Sequence, residues 1–223
     1  MTELNFQEIM NFYPTNIDVF NNMKRDYKQL IPFVGAGLSA PWYTGWPNAL
    51  KKIAEKVYDH NVKQNIINIL ENDSTKLLEV AQDLEENFGQ NGLADHLLSI
   101  FSSSHIQNNS SQISKQSVWL LPFLFPDSPV VTTNFDRVLE LVYEKQNKQF
   151  DTIILPGRQE LHNQLIQGNR HGLFKIHGDI GNSMIEYSSI IFTERQYNEN
   201  YQIGSQLVES LQRWFLGKML LFL

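Results

Sequence analysis

The sequence predicts an α/β fold in which helices cover both faces of a mostly parallel sheet. Short apolar strands alternate with helices after Pro126, and this alternation is the pattern of parallel sheets. A long stretch of helical periodicity, about residues 48–117, separates the first strand from the others. It is therefore predicted to be a helical insertion or cap. The whole chain, residues 1–223, is expected to form one domain around this sheet.

The N-terminal part opens with a predicted amphipathic helix over residues 16–30, in which apolar residues recur at helical spacing. A strand over residues 31–34 follows and runs directly into a glycine turn. Polar breaks then divide the insertion into several helices, and its Ser/Asn/Gln-rich end, residues 102–117, is predicted to be a loose loop. The predicted breaks lie at residues 71–75, 87–92 and 102–112.

The C-terminal part supplies the remaining strands and two more helices. Helices are predicted over residues 135–143 and 205–216, and Gly217 is expected to cap the second one. Because the chain stops inside an apparent buried strand that begins at Met219, the sequence is expected to be a fragment of a longer protein. The other predicted strands lie at residues 129–133, 151–155, 173–176 and 189–192.

The composition excludes several classes of function. The formal net charge is -6 and no block of Lys and Arg is present, so a general nucleic-acid surface is not expected. The chain has no cysteine, which removes disulfides, thiolate zinc sites and a thiol nucleophile together. The N-terminus does not resemble a signal peptide, and no stretch approaches the ~20 apolar residues of a membrane span. A cytoplasmic protein without a membrane partner is therefore expected.

The first motif with chemical meaning is the glycine turn. The run from Gly35 to Ala40, GAGLSA, follows a strand and satisfies the G-x-G-x-x-G/A dinucleotide fingerprint. Glycine lets a chain turn sharply and lets a ligand approach where a Cβ would block it. Pro41 and Pro47 interrupt the helix that should follow, however, and no acidic residue stands clearly at the end of a second strand. A tight turn that binds no ligand is the alternative.

Polar side chains follow two further strands. Asn134 and Asp136 come after the strand at residues 129–133, and His177 comes just after the strand at residues 173–176. The carboxyl ends of parallel strands share one edge, where open α/β sheets bind ligands. His171 precedes its strand and is expected at the opposite edge. The alternatives are helix capping by the Asn/Asp pair and a surface position for His177.

Together these motifs resemble a known family, the sirtuins. GAGLSAPWYTGWP, TTNFD and KIHGD occur in that order, and the chain looks closest to the sirtuin-like domains of bacterial antiphage defence proteins. The resemblance runs from about Ile31 to the C-terminus, where FTERQYNENY and KMLLFL are similar to the tail of such domains. It implies a Rossmann-like sheet that binds NAD.

The resemblance also implies roles for individual residues. Asn134 would hold the nicotinamide ribose or the attacking water, and His177 would be the catalytic base. The backbone of the glycine turn would hold the pyrophosphate with help from the Ser39 hydroxyl, and Asp136 would meet the carboxamide. The turn around Trp46 and Pro47 would wall the nicotinamide pocket. The NAD-binding residues implied in this way are Gly35, Ala36, Gly37, Ser39, Trp46, Pro47, Thr133, Asn134 and Asp136.

The sequence departs from the sirtuin deacylases at two places. Those enzymes carry a four-cysteine zinc module that this chain cannot build, and their Gln-Asn pair is Thr133-Asn134 here, as in the defence branch. Because the chain lacks the cysteines of that zinc module, no metal is expected. The resemblance also implies a further loop that contacts the adenosine ribose; this loop should follow the last strand and is expected to lie outside this sequence.

The predicted activity is hydrolysis of NAD to ADP-ribose and nicotinamide. Nicotinamide leaves as a neutral molecule and needs no general acid, while the transition state should resemble an oxocarbenium ion. An imidazole is suited to withdraw a proton from a ribose hydroxyl or water, and an asparagine can position these groups. The alternatives are an NAD-dependent protein deacylase and a non-catalytic module that senses NAD or ADP-ribose.

Cells would not survive constant destruction of NAD, so such a hydrolase must be held inactive. The resemblance implies activation by an infection cue through a fused or partner sensor domain, often with oligomerisation. We therefore expect a homo-oligomer that depletes NAD as an antiphage abortive-infection response.

Overall fold

The sheet is entirely parallel in the computed structural model, which describes residues 15–107, 110–157, 171–180 and 190–223. Its strands are β1 Leu30–Val34, β2 Val130–Thr132, β3 Thr152–Ile154, β4 Gly172–Lys175 and β5 Met219–Phe222. Within the described residues they lie side by side in the order β3–β4–β2–β1–β5, and each neighbouring pair is parallel. The carboxyl ends of all five strands therefore face the same edge. The predicted α/β class is confirmed.

Helices surround this sheet. The described helices are α1 Asn16–Arg25, α2 Trp46–Ala54, α3 His60–Asn72, α4 Leu77–Phe101, α5 Ser104–Gln107, α6 Leu121–Leu124, α7 Val138–Lys145, α8 Glu194–Tyr201 and α9 Gln206–Phe215. Helices α2 to α5 all lie between β1 and β2 in the chain, as predicted for the insertion. Nothing in the described residues qualifies as a membrane-crossing helix, because none is both long and apolar enough.

Strand β1 shows how the sheet divides the core. Leu30 and Val34 pack into a large cluster with the insertion helices and α7, whereas Ile31 and Phe33 pack into a smaller cluster on the other face. Residues of a strand alternate between its faces, so each apolar position of this run is buried against one layer of helices. The smaller cluster contains Trp214 from α9. Both faces are covered, as the continuous apolar strands indicated.

One prediction for the insertion is confirmed and one needs correction. Residues 87–92 were predicted to separate two helices, and the helical segment α4 is broken within them at Gly89, where φ is 69° and ψ is 168°. Glycine adopts this backbone conformation at little cost. Residues 102–117 were predicted to be a loose loop, yet the described part contains α5 and further helical turns. The buried side chains of Ile106 and Ile113 anchor this segment to the core.

Two predictions for the C-terminal part also differ from the structure. The helix predicted from residue 135 begins at Val138, because Asp136 accepts a hydrogen bond from the Val138 N–H (3.0 Å) and the residues before it form a loop. The strand predicted over residues 189–192 is not formed by residues 190–192, and residue 189 lies outside the described part. Ile191 instead donates its N–H to the His177 carbonyl (3.0 Å).

Candidate functional site

Three loops that follow β1, β2 and β4 meet around one cavity at the carboxyl edge of the sheet. The cavity has a volume of about 170 Å³. Its walls combine the aromatic side chains of Tyr43, Trp46 and Phe101 with polar side chains of the strand loops. The described residues that line it are Ala36, Ser39, Tyr43, Thr44, Trp46, Phe101, Thr133, Asn134, Phe135, Asp136 and His177. Seven of these were predicted from the sequence to contribute to the site.

Asn134 joins the loops that follow β1 and β2. Its side-chain amide donates to the Gly35 carbonyl (3.1 Å) and to the Ser39 hydroxyl (3.0 Å). The backbone N–H of Asn134 donates to the hydroxyl of Thr132 (3.0 Å), which donates in turn to the Val34 carbonyl (2.9 Å). The Asn134 side chain makes no capping bond to α7 and is instead fixed at the wall of the cavity.

Asp136 has both a structural contact and a place in the cavity wall. One carboxylate oxygen accepts from the N–H of Val138 at the start of α7, as the capping interpretation expected, and from the Ser39 hydroxyl (3.1 Å). The residue is only 6% exposed, and this burial raises the pKa of its carboxyl group. Ser39 thus connects Asp136 to Asn134 through a single hydroxyl.

His177 lies in the wall of the same cavity. Burial lowers the pKa of its imidazole to about 4, while a hydrogen bond with the Thr133 backbone acts in the opposite direction. The Tyr197 hydroxyl lies 3.1 Å from Nε2. His177 is therefore neutral near pH 7, which is the protonation state that can accept a proton.

Backbone strain does not explain why glycine occurs at positions 35 and 37 of the turn. Gly35 has a φ of -102°, and Gly37 is not among the glycines with positive φ. A Cβ on Gly37 would meet no heavy atom within 4 Å, and one on Gly35 would meet only the Leu223 carbonyl oxygen at 3.6 Å. The turn therefore leaves open space beside Gly37. Gly35, Gly37 and Pro47 border the site without lining the cavity itself.

Trp46, which the resemblance placed in the pocket wall, is joined at the site by aromatic residues that the motifs did not indicate. Trp46 stacks on Tyr197 (6.1 Å between ring centroids) and packs against Phe192 (5.6 Å). Its buried Nε1 has no hydrogen-bond partner in the described residues. Phe101 comes from the insertion, and Tyr43 lies just before it. The sequence offered one signal for the rings that pack behind Trp46, the i, i+4 pair Tyr197 and Tyr201 in FTERQYNENY.

A buried lysine lies directly behind these loops. Lys175, the last residue of β4, is 0% exposed. Its ammonium group donates to the carbonyls of Phe135 (3.2 Å) and Asp136 (2.6 Å), and to the carboxylates of Glu140 (3.0 Å) and Asp179 (2.9 Å). It therefore ties the loop after β2 to the loop after β4. The sequence signal for this buried cation is a lysine within the apolar run LFKI.

Asp179 also forms an ion pair with Arg137, whose guanidinium donates to both of its carboxylate oxygens. Burial alone would raise the pKa of Asp179, but Lys175 and Arg137 outweigh it and lower the pKa to about 2. Burial likewise opposes charge on Lys175, yet Glu140 and Asp179 raise its pKa. Lys175 and Asp179 are thus both charged, and neither is buried without a partner.

His171 lies at the opposite edge, as predicted. Its ring nitrogens lie within hydrogen-bond distance of the backbone carbonyls of Ser128 (2.7 Å) and Lys148 (3.1 Å), and its ring stacks on Phe150. These contacts give it a structural role. No cluster of three or more His, Asp or Glu residues suited to a metal ion occurs in the described residues.

Comparison with known proteins supports one part of the resemblance. Residues 128–223 match the family model of the SIR2-like domain. This confirms the similarity to sirtuin-like domains for the segment that contains Asn134, Asp136 and His177. SIR2-like domains use NAD, so the match indicates an NAD-related activity. The glycine turn lies before the matched segment. A search of curated proteins found no match.

We predict that Lys175→Met lowers the free energy of unfolding by about 3–5 kcal/mol, because it leaves the largely buried Glu140 carboxylate without a cation and Asp179 with Arg137 alone. Lys145→Met is the matched control, since Lys145 is an exposed residue of α7, and it should unfold like the wild type. Urea denaturation followed by circular dichroism measures both. Equal stabilities for the two variants would contradict the role given to the buried ammonium group.

Proposed function

We propose that this chain is an NAD glycohydrolase, which cleaves the bond between nicotinamide and ribose to give nicotinamide and ADP-ribose. The observation that supports this best is the placement of the Asn134 amide and the His177 imidazole on the walls of one small, largely apolar cavity. The match to the SIR2-like domain supports NAD as the nucleotide.

The size of the cavity favours a single ring as its occupant. An apolar protein cavity of about 150 Å³ holds benzene, and this one measures about 170 Å³. It suits the nicotinamide ring, with the unpartnered Trp46 Nε1 in its wall and the Asp136 carboxylate as an acceptor for amide N–H groups. The remainder of NAD would then lie outside, where a Cβ on Gly37 would meet no heavy atom within 4 Å.

The side chains of the cavity can supply what hydrolysis requires. When the C1′–N bond breaks, its electron pair leaves with the neutral nicotinamide, and a water oxygen bonds to C1′. Asn134 offers both a donor and an acceptor for positioning water or a ribose hydroxyl. Neutral His177 accepts the proton that this oxygen loses and releases it to solvent. No acid is needed at the leaving group.

We also propose a biological role for the reaction. Resemblance to antiphage defence domains supports NAD depletion in the cytoplasm as an abortive-infection response. The cost of constant NAD loss supports control by a sensor domain or partner, and by assembly of a homo-oligomer.

We predict that Asn134→Ala and His177→Ala each reduce nicotinamide release by at least about a hundredfold, because positioned acid–base groups contribute 10²–10⁴-fold. Chromatography of NAD and its products measures the loss, and circular dichroism checks the fold. His60→Ala is the control, since His60 is exposed at the start of α3.

The products of the wild-type chain discriminate between the functions. ADP-ribose and nicotinamide in equal amounts support hydrolysis. Turnover that requires an acylated peptide and yields O-acyl-ADP-ribose would indicate a deacylase. Tight binding in calorimetry with the nucleotide unchanged would indicate a sensing module. Turnover at the wild-type rate in Asn134→Ala or His177→Ala would contradict the role proposed for that residue.

We predict that kcat/KM for NAD stays constant on acidification until the pH approaches about 4, the pKa of His177. The base must be neutral to act, and burial lowers its pKa, so the neutral form persists to lower pH than for an ordinary histidine. A stopped assay in overlapping buffers measures the profile, with circular dichroism at each pH. An acid limb centred near the ordinary histidine value of about 6.5 would contradict this prediction.

A further inference from the structure

The hydroxyl group of Ser39 lies between two other polar side chains of the cavity. It donates to Oδ1 of the Asp136 carboxylate (3.1 Å) and accepts from Nδ2 of the Asn134 amide (3.0 Å). Ser39 is only 3% exposed, so both contacts are made within the protein. The resemblance implies that Ser39 assists in holding the pyrophosphate, whereas these contacts turn its hydroxyl towards its own neighbours.

The three side chains form a chain of hydrogen bonds with one direction. Oδ1 of Asp136 also accepts from the Val138 N–H (3.0 Å). Because Oδ1 already accepts two hydrogen bonds, a proton taken up by Asp136 would reside on Oδ2. Ser39 therefore donates to Asp136 in either protonation state of the carboxyl group. A hydroxyl has a single hydrogen, so towards Asn134 that of Ser39 can only accept.

Both hydrogens of the Asn134 amide are engaged as a result. Nδ2 donates one to the Ser39 hydroxyl and the other to the Gly35 carbonyl (3.1 Å). Each of these partners acts as an acceptor, and this decides which end of the amide is nitrogen and which is oxygen. An amide turned by 180° would place Oδ1 against the Gly35 carbonyl oxygen, where two acceptors would repel each other.

The acceptor of Asn134 remains for a bound group. Oδ1 accepts no hydrogen bond from the described residues, and it is not one of their buried polar atoms without a partner. Asn134 lines the cavity, so Oδ1 is open to it. Of the donor and the acceptor that an asparagine carries, the structure thus leaves the acceptor to position water or a ribose hydroxyl.

An acceptor is the group that hydrolysis needs at this position. A water molecule that donates one hydrogen to Oδ1 of Asn134 and the other to neutral His177 keeps an oxygen lone pair for C1′. A donor in the same place would bind that lone pair and oppose the attack. As the water oxygen bonds to C1′, the hydrogen directed at His177 moves to the imidazole, and the other stays on the hydroxyl of the product.

We propose that Ser39 is a positioning residue for Asn134, whose hydroxyl holds the side-chain amide with Oδ1 towards the cavity. As far as turnover is concerned, this inference rests on the proposed hydrolysis of NAD. The orientation of the amide does not depend on that function and can be measured without NAD.

The kinetic test compares Ser39→Ala with Ser210→Ala in the full chain. Ser210 is a buried serine of α9 whose hydroxyl donates to the Gln206 carbonyl (2.8 Å), so its removal should leave turnover at the wild-type level. Ser39→Ala should lower kcat for NAD about tenfold, the loss expected for one buried hydrogen bond. KM should stay within about threefold, whereas removal of a serine that held the pyrophosphate would mainly raise KM.

A double variant tests whether Ser39 acts through Asn134. With Asn134→Ala there is no amide to orient, so adding Ser39→Ala should lower the remaining kcat by less than about threefold. Independent losses that multiply would contradict the inference and would indicate that Ser39 acts through Asp136 or on NAD itself. A rise of KM alone in Ser39→Ala would contradict it as well.

A second measurement, the ¹⁵N spectrum of the side-chain amides, needs no NAD. Comparison with Asn134→Ala assigns the Asn134 signals, and both amide hydrogens should exchange slowly with solvent in the wild type. Ser39→Ala should shift one of the two hydrogen signals and speed its exchange, while the hydrogen that binds the Gly35 carbonyl stays slow. Ser210→Ala should change neither signal. Melting temperatures near that of the wild type would show that the variants are folded.

The outcomes separate this inference from the proposed function. A wild-type chain that leaves NAD intact removes the hydrolase, and the amide spectrum then decides on Ser39 alone. Rapid exchange of either Asn134 amide hydrogen in the wild type, or unchanged signals in Ser39→Ala, would overturn the inference even if the wild type hydrolyses NAD. If Ser39→Ala does not fold, the exchange rates of the wild type still decide.

Discussion

The rest of the site depends on the hydrogen bonds and ion pairs made by the buried ammonium group of Lys175. Water cannot solvate a side chain that is 0% exposed, so its charge must be balanced by the groups around it. Those groups are two backbone carbonyls of the loop after β2 and two carboxylates, Glu140 of α7 and Asp179 of the loop after β4. A shift of either loop would leave a buried charge unsatisfied. The positions of Asn134 and His177 relative to each other follow from this constraint.

A second set of polar contacts adds the glycine turn to this frame. The Asn134 amide, the Ser39 hydroxyl and the Asp136 carboxylate form a chain of hydrogen bonds that reaches the Gly35 carbonyl. Each of these side chains is nearly inaccessible to solvent. Buried hydrogen bonds that are all satisfied favour one arrangement over its neighbours. The cavity therefore has rigid polar walls on the side of the sheet.

The helical insertion contributes the apolar side of the cavity and a link to α8. Trp46 and Phe101 close the space over the polar loops, and the Tyr43 hydroxyl donates to the Ser102 carbonyl (2.9 Å), which holds the two ends of the insertion together. The Arg195–Glu85 pair connects α4 to the helix that carries Tyr197. One continuous set of contacts thus joins the candidate base His177 to the insertion. A displacement of the insertion would therefore also displace His177.

The sequence by itself determined the α/β class, five of the six strands predicted from it, the position of the insertion, and the edge at which Asn134, Asp136 and His177 lie. These follow from local signals, namely hydrophobic periodicity, a glycine turn and the shared direction of parallel strands. Only the tertiary structure decided that α7 begins after the loop at Asp136, that residues 190–192 form no strand, and that Lys175, Tyr43 and Phe101 lie at the site. Such contacts join residues as distant as Ser39 and Asp136, 97 positions apart. No local pattern specifies them, because their energies depend on which groups burial brings together.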